Sequence, residues 1–308
     1  MRRRSAVKLA TLLALACSVG LAAFAANRPL SHQGLSQRGG ARLTSVFHWQ
    51  GHQWWFGGFS GIELSRDGSA MIAISDRATL VQASLQRRNG EISEVEITAE
   101  QRLHSSRGRI LEKTIADSEG LAIAADGSLY VSFEGVSRIA RHRLEQDETR
   151  VLPRAKPFRH LPINKALEAL AIDDHGRLYT LPERAFTPDG QIPVWRWNGR
   201  TWQQPFTLPK RGRFLPVGAD FGPDGKFYLL ERSFSFFGFR SRLRRWTLSA
   251  EGVKNEQILL ETRRGTHDNL EGVSIWRSAR GQLMATMISD DNFLSLQRTE
   301  LVEYALPN

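Results

Sequence analysis

Cysteine occurs once in the 308 residues, at Cys17, inside a segment that reads as a leader rather than as fold. With no second thiol the chain can form no internal disulfide, and it lacks the thiolate set of a structural zinc site. Long apolar runs are equally scarce. Residues 9–21 form one that is short for a bilayer span, and no later stretch approaches that length. Basic runs of five or more residues are absent, as are helix-turn-helix, RNP and zinc-finger patterns, so no nucleic-acid partner is expected. A Gly-x-Ser-x-Gly nucleophile motif is missing too, and a metal-bound water would not need one. Helical periodicity does not recur beyond the leader.

What is present is a repeat. Asp117-Ser-Glu-Gly-Leu-Ala-Ile-Ala-Ala-Asp-Gly-Ser-Leu-Tyr-Val-Ser-Phe-Glu134 alternates apolar residues on both sides of an Asp-Gly turn, the pattern of a β-hairpin. A hairpin cannot bury its own apolar face and needs neighbours. Four further copies supply them, with turn glycines at 68, 127, 176, 225 and 281, about 50–60 residues apart. That spacing suits a four-stranded propeller blade. The chain therefore reads as an all-β, five-bladed β-propeller. A sixth, degenerate blade in the insert after Leu80 is the competing count.

The first 26 residues read as a signal peptide. Arg2, Arg3, Arg4 and Lys8 precede the apolar run, and Ala23-Phe24-Ala25 is a small-residue cleavage site. Arg3-Arg4 weakly resembles a twin-arginine signal, and general secretory export fits at least as well. The residues before Cys17 match a lipoprotein box poorly. The expected location is periplasmic or secreted. Four of the formal +10 charges belong to this segment, which leaves about +6, mostly arginine, for the remainder. Such a balance favours anionic small molecules, although a solvated basic surface accounts for most of these arginines. Residues 27–40 read as a flexible leader and 41–308 as one propeller, expected to be a monomer.

Outer strands are expected at 79–87 and 92–103 in blade one, at 137–144 and near Arg150 in blade two, and in a 194–202 hairpin in blade three. Blade four should use 242–248 and 257–260. Blade five is one strand short at the C-terminal end. The segment 43–49 can supply that strand, so that the N- and C-terminal strands pair and close the ring.

Two columns of the repeat carry chemistry. At the start of the innermost strands stand Ser60, Glu119, Glu168, Val217 and Glu271. Three glutamates converging on a channel would repel one another unless protonated or neutralised, and a calcium ion with oxygen ligands would neutralise them. Hydrogen bonding of the same glutamates around a water-filled channel is the alternative. The second column closes the returning strands: Asp76-Arg77, Glu134, Glu183-Arg184, Glu231-Arg232 and Asp290-Asp291. Asp76 and Glu183 are candidates to orient a water. Arg77, Arg184 and Arg232 are candidate phosphate forks, and Lys165, Arg240, Asn269 and Asn292 stand near the same rim.

Ser60-Gly-Ile-Glu, Ser75-Asp-Arg, Ser118-Glu-Gly-Leu-Ala, Asn164-Lys165 ahead of Leu167-Glu-Ala-Leu, and Asp268-Asn-Leu-Glu-Gly-Val-Ser together resemble the bacterial phytase-like family, the group labelled esterase-like activity of phytase. The likeness runs from about Gly58 to the C-terminus. It implies an exported propeller with a role in phosphate-ester hydrolysis. Ser60, Glu119, Glu168 and Glu271 also look like the calcium site of five-bladed calcium-activated nucleotidases, from which Val217 departs. The Arg-His-Gly motif of acid phytases is absent. The resulting expectation is a calcium-dependent phosphoesterase acting on a small phosphate ester. A non-catalytic ligand- or envelope-binding propeller with structural calcium is one alternative, and a metal-dependent lactonase or esterase is another.

Overall fold

In the computed structural model the chain divides into two units, Met1–Gly34 and Leu35–Asn308. The structure describes residues 39–161, 166–249 and 252–307, all within the second unit. The signal peptide and most of the expected leader therefore lie outside the described residues.

The described chain opens with strand β1 (Arg42–His48). Blade one follows as β2 (Phe59–Leu64), β3 (Ala70–Ser75), β4 (Thr79–Arg88) and β5 (Glu91–Arg102). Blade two is β6 (Ser118–Ile123), β7 (Leu129–Phe133), β8 (Arg138–Arg143) and β9 (Glu148–Val151). Blade three is β10 (Leu167–Ile172), β11 (Leu178–Pro182), β12 (Ile192–Trp197) and β13 (Trp202–Leu208), and blade four is β14 (Leu215–Phe221), β15 (Phe227–Ser235), β16 (Gly238–Ser249) and β17 (Gly252–Glu261). β18 (Asn269–Arg277), β19 (Leu283–Asp290) and β20 (Glu300–Ala305) belong to blade five, and β1 completes it by pairing with β20. Five four-stranded antiparallel sheets result. The insert after Leu80 is absorbed by the long β4–β5 hairpin, which leaves no sixth blade among the described residues. The blade-three hairpin reaches further than expected, because β13 runs on to Leu208.

Packing follows from the alternation. Outermost strands such as β5 are largely exposed, with Ile92 buried and Val95 and Ile97 half-buried, whereas β18, β19 and β20 are buried almost throughout because neighbouring blades cover both faces. Each blade-to-blade interface has its own apolar cluster. Phe59, Ile62 and Val81 meet Ile288 and Leu301 between blades one and five, and Ala169, Leu181 and Val194 meet Phe227, Leu229 and Trp246 between blades three and four. Removal of such surface from water, at about 25 cal/mol per Å², is what holds the ring together.

Every inner hairpin carries a register shift at the same point. The shifts lie between Phe59 and Gly61, Ser118 and Leu121, Leu167 and Ala169, Pro216 and Gly218, and Leu270 and Gly272. The extra residue of each bulge is Ser60, Glu119, Glu168, Val217 or Glu271. A bulge re-aims one side chain out of the pleat, and here it does so five times around one axis. The residue after it is glycine in four blades, for a reason unrelated to turns. A Cβ on Gly120 would stand 2.7 Å from the carbonyl oxygen of Glu168 in the next blade, and one on Gly272 would stand 2.9 Å from the amide nitrogen of Ile62. The innermost strands touch backbone to backbone, and a side chain would hold them apart.

Candidate axial site

The bulges bring Glu119, Glu168 and Glu271 together at one end of the axis, where the charge of Glu271 raises the proton affinity of both Glu119 and Glu168. Burial, then the charges of Glu168 and Glu271, push Glu119 well above the usual carboxylate range. Burial, then Glu134 and Glu271, do the same to Glu168. Ser60 stands in the same slot of blade one, but its hydroxyl donates to the Ser118 carbonyl at 2.7 Å and so links two blades. Val217 is buried and gives blade four an apolar segment of the wall.

The returning strands contribute a second ring, and strand pairing shows which residues compose it. Phe59 pairs with Ser75, Leu167 with Pro182 and Pro216 with Glu231. The residues one step further are Asp76, Glu183 and Arg232, with Glu134 and Asp290 equivalent to them in blades two and five. Glu231 therefore does not belong to the carboxylate column, as the sequence alignment has it. It points into blade four, fully buried, and accepts from Arg242 Nε and Arg244 Nε at 2.7 Å each. Arg242, Arg244 and Arg245 are themselves buried, so this part of the positive charge lies inside the protein rather than on a solvated surface.

Arg232 thus occupies a carboxylate's place. It hydrogen-bonds Glu271, donates to Asn269 Oδ1 at 2.6 Å and reaches Glu183 Oε1 at 3.4 Å. Burial works against its charge, but Glu271, Glu168, Glu183 and Asp290 together hold it more firmly protonated than an ordinary arginine. Arg184 Nε reaches Glu183 Oε2 at 2.9 Å, so that Glu183 is held by two guanidinium groups. Arg184 and Arg77 are exposed at the mouth, and the Arg77 guanidinium lies 3.3 Å from the centre of the Phe293 ring. Arg240 is turned outward to Glu261 at 2.5 Å. Asn292 bonds Gln297. Lys165 and Asn164 lie outside the described residues.

Neutralisation is uneven around the ring, with Arg77 acting on Asp76 and Arg138 on Asp117 on the side of blades one and two. Blades three to five share Arg232. On the side of blades one and two, Asp117, Glu119 and Glu134 bring carboxylate oxygens within 4.8 Å of one another. Asp117 immediately precedes β6, two residues before Glu119. Glu134 accepts from the Ala166 amide at 2.9 Å and from Glu168, a carboxyl–carboxyl contact that requires a shared proton. Burial, opposed by Arg77 and reinforced by Asp117, Glu271 and Asp291, raises Asp76 to about 7, and its buried Oδ1 has no hydrogen-bond partner. Burial and Glu271 raise Asp290 to about 8. The all-oxygen donor set of Asp117, Glu119 and Glu134, crowded by like charge, fits a hard divalent cation.

Fold and site together define a five-bladed β-propeller with an acidic axial site. The chain belongs to the phytase-like family, described as esterase-like activity of phytase, whose match spans residues 54–293. Solved structures similar to it include the PQQ-bound aldose sugar dehydrogenase from Streptomyces coelicolor. That structure is 12% identical, with 85% of this chain and 98% of that chain covered and a TM-score of 0.44. The gluconolactonase XC5397 from Xanthomonas campestris is also 12% identical, with 81% and 72% covered and a TM-score of 0.41. No curated protein matches the chain.

Proposed function

We propose that the chain is an exported phosphoesterase that works with a divalent cation, calcium by its donor set, at the axial mouth. The observation that carries this reading is the cluster of Asp117, Glu119 and Glu134, crowded within 4.8 Å while Arg232 serves the other half of the ring. These three, with Glu168 beside them and the Ser60 oxygen at the neighbouring bulge, would hold the ion; Glu271 is engaged by Arg232. Bound there, the cation would offset the carboxylate charge and polarise a phosphoryl oxygen.

The chain's own groups divide the remaining tasks. Arg77 and Arg184 stand exposed at the rim with guanidinium edges for phosphate oxygens. Asp76, poised near neutrality with one unpartnered oxygen, accepts the proton of the attacking water. Glu183, committed to Arg184 and Arg232, positions those arginines rather than taking the proton.

The test is phosphate release from a panel of phosphate monoesters, with calcium and with chelator. Asp76→Asn is expected to lower turnover about 100-fold, the typical contribution of a general base, while calcium uptake by the protein persists. Release that is unaffected by chelator, or by Asp76→Asn, would overturn the mechanism. Calcium uptake without hydrolysis of any ester would instead favour the binding propeller with a structural ion, a reading supported by the fact that half the ring is already neutralised from within. Turnover of lactones or carboxylic esters, with phosphate esters untouched, would select the lactonase reading.

A further inference from the structure

At the mouth end of blade four the chain reads Ser233-Phe-Ser-Phe-Phe-Gly-Phe-Arg240. β15 and β16 stay paired to the tip, through Phe234 with Phe239 and Ser235 with Gly238, which leaves Phe236 and Phe237 as the two turn residues. Two-residue hairpin turns ordinarily take Asn, Asp or Gly there, as Asn89-Gly90 does between β4 and β5. Two phenylalanines have no conformational reason to occupy a turn. They are also uncovered: Phe236 is 86% exposed, Phe237 77% and Phe234 66%.

The tip stands proud of the site. β15 passes the ring at Arg232 and continues for four residues to Phe236, a rise of roughly 13 Å at about 3.3 Å per residue. Leu294 and Leu296, exposed by 57% and 81%, follow Asp290 at the same end, and exposed Trp54 precedes Gly58 there. Cations flank the apolar tip. The Gly265 amide donates to the Phe239 carbonyl, which places the loop of Arg263 and Arg264 beside the hairpin. Both arginines are exposed and form no ion pair among the described residues. The acids of the ring are buried or half-buried, whereas Arg263 and Arg264 are exposed.

We propose that this end of the propeller docks on an anionic lipid surface, with Phe234, Phe236 and Phe237 entering the headgroup boundary and Arg263 and Arg264 on the lipid phosphates. A protruding aromatic tip with basic flanks suits a deformable interface, where amphipathic and aromatic groups gather. A protein partner would require a groove to receive it. No helix among the described residues is long and apolar enough to cross a membrane, so the contact would be peripheral. This inference stands apart from the phosphoesterase reading, since it uses none of the axial acids.

The experiment is sedimentation with vesicles of phosphatidylcholine alone and of phosphatidylcholine with phosphatidylglycerol, with chelator throughout so that no axial cation can bridge to lipid. The ring closes within the unit Leu35–Asn308, so that unit is used, free of the apolar N-terminal run. Wild type should pellet with the anionic vesicles. The Phe236→Ser/Phe237→Ser variant should lose binding about tenfold or more while melting as wild type does, because its changes lie on an exposed tip. Arg263→Ser/Arg264→Ser should weaken binding and flatten its salt dependence. Three results would overturn the proposal: no pelleting with either vesicle, equal pelleting of the Phe variant, or a wild-type dimer that the Phe variant dissolves without any lipid binding.

Discussion

At the scale of single residues the ring is governed by Arg232. It is the guanidinium that four surrounding acids hold in place, so its loss removes a charge they all use. Breaking a buried pair costs about 3 kcal/mol or more. Arg232→Gln is therefore expected to destabilise the protein by that order, measured by urea unfolding. The loss should be larger near pH 8 than near pH 5, because at low pH the stranded carboxyls can protonate instead. Equal losses at both values would show that Arg232 acts through packing alone. The place of Arg232 was legible by counting: it stands seven residues after its turn glycine, as Glu134 and Glu183 do after theirs. Matching by residue type instead puts Glu231 in the acidic column, and only strand pairing shows that Glu231 faces the blade interior. Asp117 and Glu134 were visible as residues, but their approach to Glu119 depends on the bulge, which a period-two pattern records only as a one-residue slip in phase.

At the scale of elements, the inner hairpins and the closing strand are the parts that composition writes most clearly. Asp-Gly turns flanked by alternating apolar residues locate each blade, and the strand missing from blade five identifies β1 as its supplement. The glycines after the bulge are less readable, because their requirement comes from a neighbouring blade rather than from their own backbone angle. Gly120→Ala should cost about 1–3 kcal/mol, the range for overpacking a tight contact, and should weaken calcium uptake by shifting Glu168. A melting temperature unchanged from wild type would show that the blades can part without penalty. Deletion of β1, 42–48, should leave β20 as a bare edge and produce aggregation on light scattering. A soluble, fully folded deletion would contradict that expectation.

For the whole molecule, the axial acids make stability depend on pH in an unusual direction. Asp76 near 7 and Asp290 near 8 lie above their unfolded value of 3.8, so the folded ring favours their protonated forms. The stability they contribute is fully present below about pH 4 and is lost as pH rises through about 7 to 8. Calcium that binds the ionised ring should reverse the loss, with a gain that follows its concentration. Thermal melting near pH 5 and near pH 8.5, with calcium and with chelator, should show the larger calcium effect at the higher pH. Curves that coincide under all four conditions would remove the metal from the account.

Pairing of β1 with β20 joins Arg42 to Ala305 across nearly the whole described chain. Of the described strands, the one that seals the circle is synthesised first and its partner last. Blade five cannot close before β20 is made, since until then β19 is an open edge and β1 has no partner in the sheet. Contacts of such long sequence separation form slowly, and the waiting strand must stay unpaired in the meantime. A propeller built in this way stays open until β20 is made, and its closure is the meeting of strands from its two ends.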